Sequence, residues 1–178
     1  MSTHCFIGIR KSNGYIDGIY CHHDGYPEYV GTILTYKYTT EKKISDLLKL
    51  GNISVLGENV SPIDKTLPHT LINHQPRTVV AYCRDDGRRE EGNMYKNLYL
   101  KDIADFDCRR IYIWDTSYKY WRTYKVNTDN GFMILEEYID YSLYISNLVN
   151  NGYMTEVSKK LITMVKNKYL GKKNTKKC

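Results

Sequence analysis

HCFIGIRKSNGYIDGIYCHH, residues 4–23, places two short apolar runs on either side of KSNG. Asn13 and Gly14 suit a tight turn, so the stretch reads as a β-hairpin with strands over 4–10 and 15–23. Along the second strand, alternation sets Ile19, Cys21 and His23 on one face and Tyr20, His22 and Asp24 on the other. Asp24 and Gly25 end it.

Outward from this hairpin the periodicity changes. Pro27 fits the first turn of a helix, where its missing N–H costs nothing, and Val30, Ile33, Leu34 and Tyr38 form an apolar stripe at helical spacing. A second helix follows Thr40, with Ile44, Leu47 and Leu48 on one side and Gly51 as its stop. From Asn52 to Arg77 no period survives, and a long irregular excursion is expected; loops of that length are more often functional or mobile than idle. TVVAYC, residues 78–83, reads as a strand with RDDGRREEG as its charged turn. A short helix around Lys101–Phe106 precedes a second hairpin, RRIYIWD and YKYWRTYKV, joined through Thr116 and Ser117. Residues 136–149 and 154–168 have helical spacing, broken by Asn150, Asn151 and Gly152.

The pattern predicts one α+β domain over residues 1–168: a mainly antiparallel sheet uniting 4–23, 78–83 and 109–124, with helices packed on it. A basic, disordered tail, 169–178, is expected to follow.

The formal charge of +6 is local. Six of the 26 Lys and Arg lie in residues 166–178, and the remaining 20 balance the 20 Asp and Glu. The body of the chain therefore offers no broad basic surface, and duplex nucleic acid is not an expected partner. Five scattered cysteines without a CxxC pair argue against a disulfide framework or structural zinc module and place the chain in a reducing cytoplasm. MSTHCFIGIRK has no signal-peptide pattern, and no run approaches the roughly 18 apolar residues of a membrane span. The 18 tyrosines, against 3 Phe and 2 Trp, suit half-buried sheets, interfaces and base stacking alike. Trp114, Trp121 and the tyrosines around them read as sheet packing.

YCHHDGYPEYVG, residues 20–31, has the residue types of a metal site but not the geometry. Neighbouring strand residues diverge, so Cys21 with His23, or His22 with Asp24, could share an ion, and the other ligands would have to come from His4, His69, His74 or Cys83. No spacing demands that, and neither a metal nor another cofactor is expected. GxSxG, GxxxxGK[ST] and GxGxxG are all absent, which removes the common hydrolase and nucleotide-enzyme templates. AYCRDDGRREEG, residues 81–92, has two readings: a solvated turn at Asp86 and Gly87, or a site in which Arg84 offers a planar fork to phosphate while Asp85 orients it.

Taken together, YCHHDGYPEYVG, LGNISVLG (50–57) and AYCRDDG (81–87) resemble a family of small tailed-phage proteins carrying YCHWDGY, LGDLSSLG and a YxRDxGE-like element in that order. The resemblance spans roughly residues 4–124. His23 stands where the family has Trp, Asn52 where it has Asp, and Val55 where it has Ser. A position that accepts Trp is a poor metal-ligand position. Proteins of this kind include anti-CBASS sponges, which sequester the cyclic oligonucleotide signals of bacterial immunity. The resemblance therefore implies a phage counter-defence protein, not an enzyme, that binds such a signal without cleaving it, in host cytoplasm and as a homo-oligomer. The matching positions with suitable chemistry are Tyr20, His22, Asp24, Tyr26, Ser54, Arg84 and Asp85. The competing readings are a metal-dependent phosphodiesterase or nuclease using His22 or His23 with Asp24, and a phage inhibitor that binds a host protein.

Overall fold

The computed structural model describes residues 3–127 and 133–137, which form one compact unit. The opening hairpin is there, as β1 (Cys5–Arg10) and β2 (Ile16–Cys21), antiparallel with Cys5 opposite Cys21. Its turn closes through Lys11 N–H to Tyr15 O and Gly14 N–H to Lys11 O.

After β2 the chain enters a widened π turn, Pro27–Gly31, and continues into α1 (Thr32–Lys37). Thr32 N–H reaches back to Pro27 O, and its hydroxyl donates to the same carbonyl at 3.2 Å. Helix α2 (Glu41–Leu48) starts at Thr40, whose hydroxyl accepts from Lys43 N–H, as the sequence predicts. Next come β3 (Ile53–Val55), β4 (Val80–Ala81), α3 (Tyr82–Asp86), a 3-10 turn at Arg89–Gly92, β5 (Tyr95–Leu98), α4 (Leu100–Ile103), β6 (Arg110–Asp115), β7 (Tyr120–Asn127) and β8 (Met133–Glu137).

The eight described strands form a single mixed sheet in the order β4-β3-β2-β1-β6-β7-β8, with β5 alongside β2. Only β1–β6 and β2–β3 run parallel among these pairings, so the sheet is mainly antiparallel and the domain α+β. Alternation in β1 sends Cys5 and Ile7 to one face, where Val30, Leu34, Tyr38, Ile44 and Leu47 cover them, and Phe6 to the other, against Ile103, Ile111 and Tyr124. Trp114 and Trp121 pack edge to face at 5.6 Å on the first face, and Trp121 Nε1 donates to Tyr38 O at 2.9 Å. The sheet-packing reading of these tryptophans holds.

Four local expectations need correction. The strand expected over 78–83 stops at Ala81, and Tyr82–Asp86 is helical because Asp85 Oδ2 accepts Ala81 N–H at 2.7 Å and so caps the turn from within. The supposed hairpin turn at Asp86 and Gly87 is the C-terminal end of that helix, capped by Gly87 at φ 71°. The excursion is not irregular from its first residue, since Ile53–Val55 pairs with both β2 and β4. Residues 136–137, assigned to a helix by spacing, belong to β8, because the edge of β7 offers a ladder that outweighs a weak 3.6-residue period. Strand β5 was not read at all. The predicted helix beyond residue 137, the helix over 154–168 and the basic tail lie outside the described residues.

Candidate functional site

Strand β2 ends at Cys21, but its path continues: His22 N–H donates to Ile53 O at 3.0 Å and His23 N–H to Ser54 O at 2.9 Å. On the other side of this central segment, Val55 faces Val80, and Gly57 lies against the backbone of Arg77 and Thr78. A Cβ at Gly57 would sit 2.4 Å from the Thr78 carbonyl carbon, so only glycine permits the approach. Residues 54–57 thus form a floor between two walls, 22–24 and 76–80.

A cleft of about 360 Å³ opens over that floor, lined by His23, Asp24 and Tyr29 from the first wall and by Leu71, His74, Pro76, Arg77 and Thr78 from the second. Asp24 and Arg77, one on each wall, both have positive φ, at 56° and 57°. Asn97, Asp107 and Lys119 share that conformation outside the cleft, and aspartate is among the residues that tolerate it. Asp24 is held on both sides, by the His23 bond to Ser54 O and by Gly25 N–H donating to Thr3 O at 2.7 Å. The Tyr26 phenol shares a hydrogen bond with its carboxylate; burial first, and then Asp24, raises that phenol's pKa. No ion pair engages Asp24 among the described residues. Tyr29 donates to Leu56 O at 3.1 Å and fixes the end of the floor.

Beside the cleft the histidine rings cluster, tilted or edge to face. His4 and His22 have ring centroids 4.6 Å apart, as do His22 and His23, with Tyr20 at 6.1 Å and Tyr82 at 6.3 Å from His22. His22 and His23 therefore do not diverge as an ideal strand would require, because β2 has ended before them. Desolvation first, then His4, His23 and Arg88, hold the His22 pKa below its usual value, against an opposing pull from Glu91.

Arg84 and Asp85 lie behind the second wall. Arg84 Nε donates to Asp85 Oδ1 at 2.6 Å and Nη2 to Asp85 Oδ2 at 2.8 Å, while Nη1 donates to Val60 O at 2.6 Å and Nη2 also to Val79 O. His69 Nδ1 accepts Gln75 N–H at 3.0 Å, so Nε2 carries the ring proton and donates toward Val79 O at 3.1 Å and Asp85 Oδ2 at 3.3 Å. Gln75 in turn bonds Asp64 and Leu67. The excursion is a network of partly buried polar bonds tied to α3, and the planar fork read as a phosphate ligand holds the chain's own carbonyls and carboxylate.

Of the sequence-predicted residues, Asp24 and Ser54 line the cleft and Tyr26 touches Asp24, whereas Tyr20 and His22 belong to the adjacent ring cluster and Arg84 and Asp85 to the support of the far wall. Ser54 is hydrogen-bonded to the Tyr82 phenol. Sequence reasoning missed Tyr29, Leu56, Gly57 and Arg77, and named His74 only as a possible metal ligand. Leu56 and Gly57 were within reach, inside LGNISVLG; Arg77 sits in aperiodic chain with no signal. Among the described residues no group of three or more His, Cys, Asp or Glu is disposed to hold a metal ion, and no helix is long and apolar enough to cross a membrane. Set against known proteins, the chain matches no protein-family profile, no curated protein and no solved structure.

Proposed function

We propose that the protein binds a cyclic oligonucleotide signal and withholds it intact, as a phage counter-defence sponge acting in the bacterial cytoplasm. One observation carries the reading. The three motifs behind the resemblance, some 30 residues apart in sequence, meet around one cleft: 20–31 supplies its first wall, 50–57 its floor, and 81–87 the fastening of its second wall. The volume is at the low end of the roughly 300–1,000 Å³ usual for small-molecule sites. It suits one nucleotide unit better than a whole cyclic oligonucleotide, which agrees with sharing of a ligand between copies in a homo-oligomer. Aromatic and imidazole rings beside charged groups are what a base and a phosphate require.

The test incubates the purified chain with a panel of cyclic di- and trinucleotides, denatures it and analyses what is released. Intact recovery of a bound signal is the expected result. A cleaved product would revive the phosphodiesterase reading, and no retention of any panel member would leave the sponge reading without support.

A second reading, an inhibitor of a host protein, is favoured by Ile63, Leu67 and Ile72, which stand 68%, 57% and 95% exposed on the excursion. Co-purification of a defined host protein that is lost on substituting these three by Ser would favour it over the sponge.

A further inference from the structure

We infer that the base held in the cleft is guanine, read by the Asp24 carboxylate while Arg77 and His74 on the opposite wall meet phosphate. The inference rests on the nucleotide reading above and narrows its ligand.

The walls differ in charge. An ionised carboxylate is an acceptor only, with about four lone-pair sites, and the Tyr26 phenol occupies one. Asp24 thus repels phosphate and requires donors. Across the Ser54–Gly57 floor stand Arg77, whose Nε also lies 4.0 Å from Glu58 Oε1, and His74; both carry N–H groups that can donate, and the guanidinium attracts anions. A ligand lying across the floor therefore has a donor edge at one end and an anionic group at the other. Guanine presents two adjacent donors, N1–H and the N2 amino group, spaced to meet both oxygens of one carboxylate. Adenine places the N1 lone pair at the corresponding point and is repelled. Tyr29 and His23 line the same cleft and offer it rings of the kind on which a purine rests.

Asp24 is also aimed rather than free. The His23 and Gly25 N–H groups on either side of it are bonded, to Ser54 O and Thr3 O, and the Tyr26 phenol holds the carboxylate itself. Asparagine tolerates the positive φ at Asp24 as well as aspartate does, so Asp24→Asn keeps shape and fold and changes only which groups donate. Its amide N–H complements the O2 of xanthine, which replaces the amino group of guanine.

Calorimetry on the full chain and on Asp24→Asn, with circular dichroism as the folding control, uses cyclic di-GMP, cyclic di-AMP and cyclic di-XMP as probes. The native chain should bind cyclic di-GMP roughly ten-fold or more tighter than cyclic di-AMP, as a bidentate base contact implies. Asp24→Asn should lose cyclic di-GMP by a similar factor and gain cyclic di-XMP. Equal affinity of the native chain for the guanine and adenine probes, or an unchanged cyclic di-GMP affinity in Asp24→Asn, overturns the guanine assignment and leaves the nucleotide reading standing. Binding of none of the three by the native chain overturns the guanine assignment, and overturns the nucleotide reading too if the mixed dinucleotides and trinucleotides of the panel above are also unbound.

Discussion

Asn52 Nδ2 donates to Glu91 Oε2 at 2.6 Å, while Asn52 Oδ1 accepts Tyr20 N–H at 2.8 Å. The same side chain lies 3.3 Å from the Tyr95 hydroxyl, and its backbone bonds Glu91 O and Tyr82 N–H. One buried amide therefore ties β2, α3, β5 and the 3-10 turn together. A carboxylate in place of this amide would face Glu91 with no proton to offer.

Asn52→Asp should consequently destabilise the fold by about 1–3 kcal/mol at neutral pH, the cost of a buried acceptor facing another acceptor. The shared site raises one carboxyl pKa above its unfolded value, so the penalty should shrink as pH falls through the carboxylate range and one proton bridges the pair. Urea unfolding at pH 7 and pH 4.5 measures both effects. Adding Glu91→Gln should restore most of the loss at pH 7, and failure to do so would remove Glu91 as the cause.

Arg84→Ala should unfasten the excursion. The Arg84 side chain is about a quarter exposed, and its removal takes the counter-charge from buried Asp85, which keeps Ala81 N–H and His69, and the Arg84 donor from Val60 O; a loss of roughly 1–3 kcal/mol is expected after allowing for solvent at the Arg84 end. Arg84→Lys should recover only part, since an ammonium cannot span Asp85, Val60 and Val79 together. Tryptic cleavage at Lys65 should accelerate in both variants. Native resistance to trypsin in folded Arg84→Ala would show that the loop is held by something else.

The His22 pKa predicts a pH dependence with a definite sign. A base whose folded pKa lies below its unfolded value binds more protons when unfolded, so its environment penalises the fold increasingly as pH falls through the ordinary histidine value of about 6.5. Above that value the penalty is absent. Denaturation midpoints should therefore drop between pH 7.5 and pH 5.5, and His22→Gln should flatten that part of the profile. A His22→Gln profile parallel to that of the native chain would assign the effect to other groups.

Gly57→Ala tests the floor of the cleft directly. The added methyl would meet Arg77 O at 2.6 Å as well as the Thr78 carbonyl carbon, both backbone, so the walls must part. Overpacking of this kind costs about 1–3 kcal/mol. Thermal unfolding should register that loss. Retained affinity for a ligand bound by the native chain would place the ligand elsewhere.

The sequence by itself determined the two hairpins, the first two helices, the α+β class and the approximate place of the excursion. These depend on interactions between residues near in the chain: a turn at Asn13–Gly14, a Thr40 cap, and alternation in Cys5–Arg10 and Arg110–Asp115. It also brought Asp24 and Ser54 forward together, through motifs whose meaning lay in a resemblance rather than in a local pattern. What it misassigned depends on partners distant in sequence. Residues 82–86 coil because Asp85 caps Ala81, and residues 136–137 extend because β7 has an edge to fill. His22 and His23 come together because β2 stops one residue before them.

Only the tertiary structure decided where the cleft is and what Arg84 does. A guanidinium suits a ligand phosphate and a set of backbone carbonyls equally well, and the choice is made by which acceptors the fold brings within reach. Here Val60, Val79 and Asp85 arrive first. Arg77 and His74 carry no periodic or motif signal, because their position over the floor is set by the contact of Gly57 with Thr78 and by the Gln75 and His69 bonds that fold the excursion back on itself.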